Sequence, residues 1–314
     1  MTGRPEMSDS SNDENGGGRW GVVFVAHGSQ RGASPDECSC SWRGTGHERP
    51  PWCLDCPSTP LGLRDAADRL QSSLGGQRAE VELSCLEFIE PHPDQSIHNM
   101  ADQGLDRVVV IPYLLGQGKH VTLEMDEILD ELRAKLPSLG LYLAESLGPD
   151  PRMAEIIVER VQSLGLSNET ESPTNKEGGP TNKEGGPTGV LVVKAGTKNQ
   201  YDDCLWFQDL GRMVENRLGL GYAVAVAQSH YGDPTVDDAA TRLVEERGVA
   251  RIVVVPYLFF PGLILKRNIL GGMDRIAQSH PTVSLSVTPP LGVDDRIVAV
   301  AVDRIRQVWD RVEG

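Results

Sequence analysis

The stretch GLDRVVVIPYLL, from Gly104 to Leu115, is echoed by GVARIVVVPYLF, from Gly248 to Phe259, at an offset of 144 residues. The same offset relates Leu147-Gly148 to Leu291-Gly292, and Glu90-Pro91 corresponds to Asp233-Pro234 at 143. The chain is therefore an internal duplication. At the front of each half the offset widens to 168, because GVVFVAHGS from Gly21 corresponds to GVLVVKAGT from Gly189. LGLRDAADRL from Leu61 already matches LWFQDLGRMV from Leu205 at 144, so about 24 extra residues of the first half lie between Ser29 and Leu61. The expected organisation is a disordered tail over 1–19, a first domain over 20–165 with a cysteine-rich insertion at 34–60, a flexible linker over 166–188, and a second, degenerate domain over 189–312. The linker assignment rests on Gly, Pro, Asn and Glu content, including a tandem PTNKEGG at Pro173 and Pro180.

Around the duplicated stretch, short apolar runs alternate with longer amphipathic segments. GVVFVAHG, AEVELSCLEF, RVVVIPYLL and GLYLAESLG read as strands; the segments Leu61 to Leu74, Asp94 to Gln103, Thr122 to Leu136 and Arg152 to Leu164 read as helices. Continuous Val/Ile runs belong to strands covered on both faces, hence to a parallel sheet. The expected fold class is α/β: two flavodoxin-like parallel-sheet domains related by the repeat, with ligands at the carboxyl ends of the strands.

Composition narrows the function. Thirty Lys and Arg face 45 Asp and Glu, a net charge of −15, which argues against nucleic acid and against anionic membranes as partners. No run of about 18 apolar residues occurs, and the first residues lack the basic and apolar regions of a secretory signal, so a cytoplasmic location is expected.

The strand-end rule selects the candidate chemistry. His27 follows the first strand, Glu87 and Glu90 close the second, and His120 lies just past the third, in PYLLGQGKHVTLEMDE. Two imidazoles and a carboxylate suit a divalent ion of the late first row and can accept protons near neutral pH. Singly, each has a plainer reading: His27 as a hydrogen-bonded turn residue, Glu87 as a solvated strand end, Glu90 as a helix-start carboxylate. His92 and His98 read as exposed residues rather than ligands. An anionic substrate would need local cations, and Arg31, Lys119, Lys194, Lys198, Lys266 and Arg267 lie near expected strand ends.

VAHGS at Val25, LExxEP from Leu86 and VVxxPYLLxxGxH ending at His120 together resemble the sirohydrochlorin chelatases, the class II tetrapyrrole chelatases of cobalamin and siroheme biosynthesis, in their long, internally duplicated form. The likeness spans residues 20 to 165 and 189 to 312. It implies a lyase inserting Co2+ or Fe2+, with Ni2+ also compatible, into sirohydrochlorin or a related tetrapyrrole, in a monomer with pseudo-twofold symmetry. It places the two metal-binding, catalytic histidines on His27 and His120 and the acidic residue on Glu87. Substrate contacts are expected from Ser29, Arg31, Lys119, Lys194 and His230. In the second half Lys194 is read as the replacement for the first histidine, Ile264 stands at the second histidine position, and His230 stands where the first half has Glu87.

The insertion carries Cys38-x-Cys40 and Cys53-x-x-Cys56, the thiolate count of a structural zinc or iron-sulfur site, with His47 able to replace one thiolate; reduced cysteines and reversible disulfides are the rival readings. Cys85 and Cys204 read as small buried hydrophobes. A hydrolase is disfavoured because no GxSxG elbow occurs, and GQGKHVT lacks the leading glycine of a Walker loop. A carrier of tetrapyrrole or metal, without turnover, remains the non-enzymatic alternative.

Overall fold

The computed structural model describes residues 19–28, 59–76, 78–88, 90–116, 124–165, 186–196 and 205–314. The tail, the cysteine-rich insertion with Cys38, Cys40, Cys53 and Cys56, and most of the linker lie outside them, as do Cys204, Ser29, Arg31, Lys119, His120 and Lys198.

In the first half, β1 (Trp20–Ala26), β2 (Ala79–Cys85), β3 (Arg107–Pro112) and β4 (Gly140–Leu143) form a parallel sheet in the order β2-β1-β3-β4. The connecting helices are α1 (Thr59–Leu74), α2 (Pro93–Asp102) and α3 (Met125–Lys135), and α4 (Pro151–Gln162) follows β4. The second half repeats the plan. There β5 (Thr188–Lys194), β6 (Tyr222–Gln228), β7 (Arg251–Tyr257) and β8 (Ser284–Val287) are ordered β6-β5-β7-β8. Its helices are α5 (Leu205–Leu218), α6 (Val236–Glu245), α7 (Leu270–Ser279), entered through a π-helical turn at Ile264–Ile269, and α8 (Asp295–Glu313). The expected parallel sheets are both present, and the physical reason is visible in β1 and β5, which are buried along their whole length.

Alternation along the central strands sorts the core into three layers. Val23 and Val25 of β1 pack outward with Ile97 of α2 and Leu129 of α3. Leu191 and Val193 of β5 do the same with residues of α6 and α7. Trp20, Val22 and Phe24, together with Val190 and Val192, face a single central core that both halves share.

That shared core is built by exchange. α8, at the end of the second half, packs on α1 and β3 of the first half; α4, at the end of the first half, packs on α5 and β7 of the second. Far from the carboxyl ends of the strands, the exchanged α8 is fastened to the start of β1. The Trp20 indole N–H donates to Glu313 Oε1 at 2.8 Å, the Trp20 and Trp309 rings lie 5.9 Å apart, and the Arg78 guanidinium sits 4.7 Å above Trp309.

The exchanged helices start alike. Asp150 and Asp294 are N-caps, each accepting the backbone N–H two residues on at 2.9 Å and the side chain of that same arginine. Arg152 then reaches Asp303 at 2.7 Å, and Arg296 reaches Glu159 at 2.6 Å, so the two helices are cross-tied by mirrored ion pairs. Hydrogen bonding from the Arg296 side chain holds the Asp294 carboxyl below its ordinary range, against the opposing effect of partial burial. Asp294→Ala is expected to cost about 1 kcal/mol at pH 7. Because the folded-state pKa is depressed, this contribution is present above the unfolded carboxylate value of about 3.9 and is lost as pH falls through the lower folded value. Urea titrations of both proteins at neutral and acidic pH should therefore show the gap between them narrowing in acid.

Candidate functional site

Both sheets carry their ligand-capable residues at the carboxyl ends of the strands, and the two rims meet where Tyr113, just after β3, stacks on Phe259, just after β7, at 4.7 Å. In the first half the pairing of β1 with β2 continues past the regular strands: the Leu86 N–H donates to the Ala26 carbonyl at 2.9 Å and the Glu87 N–H to the His27 carbonyl at 3.0 Å. Gly28 follows at φ +86°, and a Cβ there would run into the carbonyl of Glu87. Only glycine combines that left-handed backbone with so close an approach. His27 and Glu87 are thereby held on adjacent strand ends, His27 exposed and Glu87 half-buried. His27 Nδ1 lies 3.3 Å from the Gly28 carbonyl oxygen, and its ring is 6.5 Å from that of Phe88.

The second half repeats this geometry and corrects one alignment. The Ser229 N–H donates to the Lys194 carbonyl at 2.9 Å, as Leu86 does to Ala26, and a Cβ on Gly196 would meet the His230 carbonyl, as one on Gly28 would meet that of Glu87. Lys194 therefore takes the place of Ala26, and it is Ala195 that replaces His27. In a strand a shift of one residue moves a side chain to the opposite face. Lys194 accordingly lies on the face that joins the shared core, 5% exposed, with Nζ 3.2 Å from Gln228 Oε1 and 5.8 Å from the centre of the Trp206 ring. His230 does occupy the place of Glu87, its Nδ1 2.7 Å from Ser229 Oγ.

Other candidates fall away from the rim chemistry. Lys266 is 5% exposed within the π-helical turn that corresponds to the His120 stretch, while Arg267 beside it is exposed. Glu90 is exposed and precedes a cis proline, as does Asp233. His98 is exposed, as expected, with Nδ1 2.7 Å from the Asp94 carbonyl; His92 is half-buried instead, its Nδ1 2.8 Å from the Cys85 carbonyl. Cys85 is the small buried residue expected, and burial pushes its thiol up to about 11. Among the described residues no group of three or more His, Cys, Asp or Glu is arranged to hold a metal, and no helix is long and apolar enough to cross a membrane.

Two residues that sequence patterning did not single out stand at matched positions on the rims. Phe88 and Tyr231 each follow the Glu87 or His230 position, have positive φ (68° and 50°), and are about half exposed. A bulky side chain in the left-handed region is strained, and such strain collects where a surface is used. Nothing in the local composition announces it.

The comparisons with known proteins agree with this architecture. A sirohydrochlorin cobaltochelatase of Priestia megaterium is 25% identical over 235 residues, covering 72% of this chain and 69% of that protein. A sirohydrochlorin ferrochelatase of the same organism is 23% identical over 186 residues, 59% of this chain and 62% of that one. Among solved structures, SirB from Bacillus subtilis with Fe3+ superposes with a TM-score of 0.64 at 17% identity, covering 94% of this chain and 98% of the other. The CbiX profile matches residues 60–164 and again 189–308, once on each α/β half. With two matched sheets, two matched rims and the profile satisfied twice over, the chain belongs to the CbiX family.

Proposed function

We propose that this protein is a chelatase that inserts a divalent metal ion into sirohydrochlorin, with His27 and His120 as the pair that holds the ion and Glu87 as the accompanying carboxylate. The observation that carries the reading is the rim of β1 and β2: an exposed imidazole and a carboxylate fixed on adjacent strand ends by backbone pairing and by the close approach of Gly28. His120 supplies the second imidazole from the segment after β3, the strand next to β1 in the sheet.

Insertion exchanges two pyrrole N–H protons for one M2+ ion, so the site must release a ligated ion while accepting protons. Imidazole serves both tasks in its neutral form. Glu87 takes up protons or orients His27. Phe88 and Tyr231 offer flat apolar surface to the macrocycle, and cations that follow β1 and β3 in the sequence, Arg31 and Lys119 among them, answer its carboxylates. Since His27 and the His120 motif occur once and the second half carries Ala195 and Ile264 in their places, chemistry is assigned to the first half and substrate holding to the second, His230 included.

We assign the ion as Co2+ or Fe2+, since the relatives include proteins named cobaltochelatase and ferrochelatase. Supplying the purified protein with excess sirohydrochlorin and Co2+, Fe2+ or Ni2+ separately, and following the absorption change, tests both the activity and the metal. Many turnovers per chain establish an enzyme; a single stoichiometric change establishes a carrier. The zinc or iron-sulfur reading of the four-cysteine insertion is tested on the same preparation, purified anaerobically, by elemental analysis and a visible spectrum.

A further inference from the structure

One set of ion pairs between the halves is symmetric, whereas the packing at the rims is sharply asymmetric in size. Arg152 with Asp303 and Arg296 with Glu159 are copies of one another through the repeat. Two identical first halves could form the same pairs, Arg152 with Glu159, and two identical second halves likewise, Arg296 with Asp303. Arg69 with Asp295 has no repeat counterpart and adds charge asymmetry on one side, but the Arg152 and Arg296 pairs do not tell one half from the other.

The rim contacts do. Near the start of α1, Gly62 faces the ring of Phe260, which follows β7: a Cβ on Gly62 would lie 2.6 Å from Phe260 Cζ. At the equivalent place on the other side, Trp206 near the start of α5 covers Gly116, which follows β3, and a Cβ on Gly116 would lie 3.2 Å from Trp206 Cζ2. Gly62 and Trp206 are repeat equivalents, and so are Gly116 and Phe260. Neither glycine has positive φ, so the backbone does not demand glycine at either position; at Gly62 the Phe260 ring leaves no room for a Cβ, and at Gly116 the Trp206 ring leaves room for one only if it gives by a few tenths of an ångström.

We infer that these four residues form a reciprocal size code that makes each half accept the other and reject a copy of itself. Pairing two first halves would set Gly62 against Gly116 at both contacts and leave two voids lacking their aromatic filling. Pairing two second halves would set Trp206 against Phe260 at both and overfill them. Only the mixed pair places one ring against one glycine twice. The code is a specificity device of the repulsive kind, and it keeps the half that bears His27 joined to the half that bears Ala195, so that a single rim carries the histidine.

Size inversion in the full-length chain tests this. Trp206→Gly with Phe260→Gly imitates a pair of first halves, and Gly62→Trp with Gly116→Phe imitates a pair of second halves; both double variants are expected to lose several degrees of thermal midpoint or to fail to fold. The quadruple variant, Gly62→Trp, Phe260→Gly, Trp206→Gly and Gly116→Phe, reverses the polarity of both contacts and is expected to fold with a midpoint above either double. A quadruple variant no more stable than the better double, or one that does not fold, overturns the inference, as does strict additivity of the two doubles.

Discussion

Replacing His27 by alanine is expected to lower the rate of metal insertion by about 10²–10⁴-fold while leaving the unfolding midpoint unchanged. The imidazole is exposed at the end of β1 and fills no part of the core, so its removal falls among surface substitutions with little effect on stability. The second half supplies the control: Ala195 occupies the same backbone setting, between a strand end and a glycine pressed against the neighbouring carbonyl. Alanine is thus compatible with this position. His120→Ala is expected to be equally inactive, since an ion held by one imidazole in place of two is neither positioned nor shielded from water. Steady-state absorption assays with Co2+ and Fe2+, beside thermal melts of the same samples, give the answer. A His27→Ala protein that turns over within a few-fold of the parent would place the chemistry elsewhere.

Trp309→Ala is expected to destabilise the protein by about 3–5 kcal/mol. The ring is 2% exposed, lies between Trp20 and the Arg78 guanidinium of the first half, and belongs by sequence to the second, within the core that both halves share. Because α4 and α8 are exchanged, the loss should be felt by both sheets together. Urea unfolding followed by far-UV circular dichroism should show a single transition displaced to lower denaturant, with an unchanged slope. A second transition, with one half unfolding well before the other, would contradict the view that the central core is common to both.

Much of this was legible before any coordinates. Strands and helices were readable because continuous Val/Ile runs and amphipathic spacing are local properties of the chain. His27 and Glu87 were readable because a strand's end is marked by its own residues, and parallel strands place such ends on one rim. Lys194 was misread for the opposite reason. Two imperfect copies can be slid by one residue without any penalty that composition reveals, whereas the ladder hydrogen bond from Ser229 to the Lys194 carbonyl permits one register only.

What the amino-acid order determined by itself is the repeat, the four strands of the first half with the same alternation in the second, their parallel arrangement and the single pair of histidine motifs, all consequences of short-range patterning or of direct comparison between the halves. Tertiary structure alone decided which sheet each final helix covers, the left-handed backbone that presents Phe88 and Tyr231, and the setting of Gly62 under Phe260 and Gly116 under Trp206. The apolar stripe of α8 would satisfy either sheet. Its choice is made by partners hundreds of residues away, Trp20 and Arg78 among them, and no local pattern carries that information.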